Sequence, residues 1–134
     1  MSRNSLTPKN KNHSVVVGWD NGMKSFFATV IDREVERLAE EATLRVEAAF
    51  EEQREPSAAD SQAANRDPVV FWIGAARIGE VQTVEELTRL LEPYADVSPE
   101  MAETLRGDRA REEQIPDTDH QRQMRRFIAD NTRT

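Results

Sequence analysis

The amino-acid sequence predicts a small α+β protein: an antiparallel sheet of about three strands, opened by an N-terminal β-hairpin, packed against two to four helices. Three observations carry this expectation. Runs of β-branched and aromatic residues flank the Asn21-Gly22 pair, a second apolar run occupies residues 69–73, and two helix-start signals stand at Thr83 and Ser98. A chain of 134 residues suits one domain. Of its 35 apolar residues larger than alanine, 24 fall within 14–32 and 68–105. Burial of apolar area drives folding, so the core is expected from those two windows. They define a single domain over 14–109, interrupted by an acidic segment at 33–67.

Asn-Gly tolerates positive φ at both centres of a type I′ turn. A two-residue loop at Asn21-Gly22 places Trp19 opposite Lys24, Val17 opposite Phe26 and Val15 opposite Ala28. That face is apolar apart from Lys24. The other face, with Ser14, Val16, Gly18, Ser25, Phe27 and Thr29, is mixed. After Pro68, the unbroken run Val69-Val70-Phe71-Trp72-Ile73 reads as a strand buried on both sides.

Thr83 and Glu86 form a capping-box pattern. Val84, Leu87, Leu90 and Leu91 follow at helical spacing, and Pro93 ends the helix. Ser98-Pro99 is a second start, with a capping residue before proline at the first helical position. Met101, Ala102 and Leu105 give this helix a short apolar stripe, and Gly107 weakens its continuation.

The acidic segment holds 5 Arg against 10 Asp and Glu. Within it, 33–54 has helical patterning, with Val35, Leu38, Ala39, Ala42, Val46, Ala49 and Phe50 on one stripe and Leu44 off it. Residues 55–67 read as a polar loop. Residues 1–13 read as a flexible basic arm. Residues 110–134 form a C-terminal tail with a helix expected over 118–130, where Met124, Phe127 and Ile128 lie beside Arg122, Arg125 and Arg126.

Several kinds of chemistry are excluded or disfavoured. The chain has no cysteine, so disulfides and thiolate chemistry are out. It has two histidines, no glycine-rich phosphate loop and none of the common hydrolase or calcium-loop patterns. Asp20 is expected to cap the hairpin turn. Pairing of Asp20 with Asp32 is unattractive, since eight strand steps span about 27 Å. His120, between Asp119 and Gln121, reads as a solvated helix-start residue. Trp19 and Trp72 read as core residues rather than base-stacking platforms, because residues 68–97 carry 2 Arg against 5 acids. No cofactor or metal site is expected. Without a membrane-length apolar run or a signal-peptide pattern, a cytoplasmic location is expected.

Val17-Gly18-Trp19-Asp20-Asn21, Phe26-Phe27-Ala28, Val30, Trp72-Ile73-Gly74, Gly79-Glu80, Thr83-Val84-Glu85 and Pro93-Tyr94-Ala95 together resemble a group of small uncharacterised bacterial proteins. The resemblance spans about residues 14–109 and implies a bacterial, cytoplasmic origin and the domain limits. No activity comes with it, and the helix-patterned 33–54 insertion is longer here.

The functional expectation is a non-enzymatic protein-binding or accessory module. Its partner would be another protein or a second copy, engaged through the stripe Val35, Leu38, Ala42, Val46 and Phe50 and the cluster Arg122, Arg125, Arg126 and Phe127. Direct nucleic-acid or membrane binding is not expected. One alternative is an acidic regulator that mimics or competes with nucleic acid, suggested by the net charge of -7. Another is a small hydrolase using Asp20, Glu80 or His120.

Overall fold

The computed structural model describes residues 2–115 together with 122, 123, 126 and 127. Among these residues the fold is α+β: four antiparallel strands in the spatial order β1-β2-β3-β4, accompanied by the four helices α1–α4. The strands are β1 (Asn4–Leu6), β2 (His13–Asp20), β3 (Ser25–Asp32) and β4 (Val69–Ile73). Helices α1 (Arg33–Glu51) and α2 (Ala58–Ala64) lie between β3 and β4, while α3 (Val84–Leu91) and α4 (Pro99–Glu112) follow β4.

The strand absent from the sequence reading is β1, which comes from the segment expected to be a flexible arm. Its register sets Asn4, Ser5 and Leu6 against Val17, Val16 and Val15. Three attachments hold it. The Ser2 amide donates to the Trp19 carbonyl at 3.1 Å, and Ser2 Oγ accepts from the Trp19 amide at 2.9 Å. Farther along, the Lys9 amide donates to the Tyr94 carbonyl at 2.9 Å. Asn4 Nδ2 donates to Asp108 Oδ2 at 3.2 Å, and the Arg111 guanidinium pairs with the same carboxylate. Asp108 is buried in α4, where an unpartnered carboxylate would be costly, so the arm and the helix satisfy each other.

The hairpin forms, with a longer turn than expected. Asp20 pairs with Ser25 and Trp19 with Phe26, so the loop is Asn21–Lys24. Asp20 Oδ1 accepts from the Met23 amide at 3.2 Å, the turn-capping role read from the sequence. Lys24 takes φ 50° and leaves the apolar face. The register differs from the expected one by two residues. A shift of two preserves which face each side chain occupies, so Val15, Val17, Trp19, Phe26, Ala28 and Val30 still share the inner face.

These six residues meet Val81, Val84, Leu87, Leu91, Ala95 and Leu105 in one buried cluster. Each large aliphatic or aromatic member contributes about 1.5–3 kcal/mol. Trp19 and Phe26 pack edge to face with centroids 4.9 Å apart. The Arg109 guanidinium lies 4.5 Å from the Trp19 ring centroid and donates from Nε to Glu113 at 2.9 Å. Buried Ser25 Oγ accepts the Val81 amide at 2.9 Å, and the Phe26 amide donates to the Val81 carbonyl at 2.9 Å. Those bonds draw the chain after β4 alongside β3 and seat Val81 in the core.

The helix starts match their signals. Thr83 Oγ1 accepts from the Glu86 amide and Ser98 Oγ from the Met101 amide, both at 3.1 Å, with Pro99 opening α4. Gly107 does not interrupt α4, which runs on to Glu112 because Leu105 and Asp108 anchor it on either side of the glycine. The expected polar loop at 55–67 contains α2, capped by Ser57, whose Oγ accepts from the Asp60 amide at 3.0 Å. Helix α1 is capped by Asp32 and ends at Glu51, short of residue 54. Among the described residues no helix is long and apolar enough to cross a membrane.

Gly18 provides a test of the arm. A Cβ there would sit 2.0 Å from the Ser2 carbonyl oxygen and 2.8 Å from the Phe27 ring. Gly18→Ala is expected to displace β1 at a cost of about 1–3 kcal/mol, read from urea denaturation midpoints. An unchanged midpoint contradicts the seating of Ser2 beside Gly18. Leu87→Ala, a truncation in the cluster itself, is expected to cost about 2–5 kcal/mol in the same assay.

Candidate functional site

The two faces of the sheet differ in what covers them. Helices α3 and α4 contribute to the inner-face cluster, whereas α1 leaves from the end of β3 and packs mainly on α2. The outer face is built by the alternate residues. Ser5, Val16, Thr29 and Trp72 form one row across all four strands, with Gly18 beside Phe27 and Ser14 beside Ile31. Val16, Phe27 and Ile31 are half-buried. Trp72 is 52% exposed, and Val70 and Val69 are similarly open. The Phe27 ring lies over Gly18, filling the place a side chain would take.

Strand β4 therefore differs from the expected strand buried on both sides. It is an edge strand, with Phe71 and Ile73 packed against the core and Trp72 turned outward. Phe71 stacks on Tyr94 with centroids 4.9 Å apart. A register shift opposite Val30 and Ile31 inserts an extra residue, which explains how both Val69 and Val70 stay open. Trp19 is a core residue as expected; Trp72 is not.

The expected α1 stripe divides. Ala42 is fully buried, and Val35 and Val46 are half-buried. Helix α1 packs on α2, itself rich in alanine, and small side chains on both helices allow close approach. Leu38 and Phe50 remain exposed at the margins, as does Leu44 on the other side of the helix. Small alanine faces cannot be told from weak core patterns in a sequence, so their partner was missed. Arg122, Arg126 and Phe127 are exposed. Arg125, Met124, Ile128, His120 and most of the expected 118–130 helix lie outside the described residues.

Local ion pairs organise the helical hairpin. Arg37 bonds Glu34 at 2.5 Å and Glu41 at 2.7 Å, and Arg45 reaches across to Asp60 at 2.8 Å. The hydrogen bond from Arg37 lowers the Glu34 pKa, and that from Arg45 lowers the Asp60 pKa. The hydrolase candidates have structural partners: Asp20 holds the hairpin turn, and Glu80 Oε2 accepts the Gly74 amide at 2.5 Å. No group of three or more His, Asp or Glu among the described residues is placed to hold a metal ion.

With this geometry in hand, comparison finds no protein family, no curated protein and no solved structure that matches the chain. The class defined by the fold is an antiparallel meander with helices on one face and a helical hairpin inserted before its last strand.

Two outcomes check this arrangement. Acrylamide is expected to quench Trp72 emission and leave Trp19 nearly untouched, so Trp72→Phe removes the quenchable fraction; equal quenching of both indoles contradicts the assignment of faces. The Arg45–Asp60 pair also gives a pH response with a definite sign. Because the folded-state pKa of Asp60 is depressed, its contribution is present above the ordinary carboxylate pKa of about 4 and fades as pH falls below it. Asp60→Asn is expected to flatten that part of an acid titration followed by helix circular dichroism.

Proposed function

We propose that the protein is a non-enzymatic binding module whose contact surface is the outer sheet face rather than the α1 stripe alone. The observation that supports this reading is the row Val16, Thr29 and Trp72 with Phe27, Ile31 and Val70 beside it, a largely apolar surface on which Trp72 and Val70 stay exposed. Contiguous apolar surface of this kind is a common mark of protein contact sites. Exposed Leu38 at the start of α1 adds apolar area outside the sheet. Some charged groups of the helical hairpin are engaged with one another, Arg37 with Glu34 and Glu41 and Arg45 with Asp60.

The test is affinity capture with the intact chain at two salt concentrations, beside Thr29→Lys, which puts a charge in the middle of the outer face. Captured protein is expected to persist at raised salt and to be lost with Thr29→Lys while circular dichroism stays unchanged. Equal capture by both chains overturns the sheet face as the contact. Capture that disappears at raised salt and ignores Thr29→Lys favours the acidic, nucleic-acid-mimicking regulator instead.

A further inference from the structure

Strand β4 is the last strand of the sheet, and hydrogen bonds elsewhere settle which of its backbone groups face outward. On β3, the Phe26 amide donates to the Val81 carbonyl and the Asp32 amide to the Pro68 carbonyl, so alternate residues from Phe26 to Asp32 present their backbone groups toward β4. Ala28–Ile73 and Val30–Phe71 are therefore the hydrogen-bonded pairs of that ladder. Trp72, between Phe71 and Ile73, turns its N–H and C=O to the free edge. The neighbouring donors on that edge are occupied: the Gly74 amide donates to Glu80 Oε2 at 2.5 Å and the Val69 amide to Asp67 Oδ1 at 2.9 Å.

We propose that β4 pairs antiparallel with β4 of a second copy of this chain, with Trp72 opposite Trp72 on the two-fold axis. This goes beyond the binding-module reading, since it concerns the sheet edge rather than the middle of the outer face. The open N–H and C=O of one Trp72 match those of the other, so the pair closes with two hydrogen bonds and is self-complementary. The side chains of an opposed pair lie close on one face of a sheet, so the two exposed indoles cover each other on the outer face. Charge opposes a like partner least at this place. A chain of net charge -7 repels its own copies, but residues 68–76 carry no charged side chain. The carboxylates at Asp67 and Glu80 cap the edge on either side, which limits pairing to a short register and makes the product a closed, weak dimer rather than an open-ended stack.

Sedimentation equilibrium of the full chain, from low micromolar to near-millimolar concentration, combined with amide exchange followed by NMR, tests this. A reversible monomer–dimer equilibrium is expected. The Trp72 amide should exchange about tenfold more slowly when about nine-tenths of the chain is dimeric, with the Val69 and Gly74 amides insensitive to concentration. Trp72→Lys sets two like charges on the axis and is expected to remain monomeric with its circular dichroism intact. The wild-type exchange measurement needs no variant and stands if Trp72→Lys fails to fold. A monomer at every concentration, a dimer whose Trp72 amide is unaffected, or a dimer that survives in Trp72→Lys overturns the proposal. None of these outcomes bears on the capture experiment with Thr29→Lys, which judges the module reading separately.

Discussion

Successive residues of β2 and β3 point to opposite sides of the sheet, so burying Val15, Val17, Trp19, Phe26, Ala28 and Val30 commits Val16, Phe27, Thr29 and Ile31 to the other side. Helices α3 and α4 cover the first set with Leu87, Leu91 and Leu105. Among the described residues, the buried cluster that α3 and α4 complete includes none of the second set. The apolar outer face is thus a consequence of where the two later helices pack, and Trp72 at the edge extends it.

The insertion that might have covered that face is occupied with itself. Ala42 and Ala49 of α1 are fully buried, and the helix meets α2 through small residues and the Arg45–Asp60 pair. Alanine faces bury little apolar area, but they allow helices to approach closely, and α2 carries four alanines, Ala58, Ala59, Ala63 and Ala64, after its Ser57 cap. What remains exposed on α1 is marginal: Leu38, Leu44 and Phe50 point away from one common face. This is why the binding surface proposed here centres on the sheet.

How much of this was legible in the sequence depended on whether the signal was local. Thr83, Ser98, Pro99 and Asp20 act within three residues of themselves, and each does what its type and position imply. The inner-face residues were readable because a two-residue error in turn length leaves the alternation intact. Strand β1 was not readable, since Asn4 to Leu6 carry no strand pattern and are held by Ser2 on Trp19 and by Asp108, which lies 104 positions away in the chain. The exposure of Trp72 was hidden for a related reason. An unbroken apolar run fits a central strand and an edge strand equally, and only the sheet order separates them. The site residues read on α1 were apolar at the right spacing, but nothing in 55–67 announced the helix that packs on α1.

Methyl NMR with a soluble gadolinium relaxation agent measures the division of the sheet into a covered and an open face most directly. The account predicts strong broadening of the Val70 methyls, intermediate broadening at Val16 and Ile31, and protection at Val15, Val17 and Val30, one residue away in each strand. Uniform protection of both sets, or broadening that ignores the alternation, contradicts it.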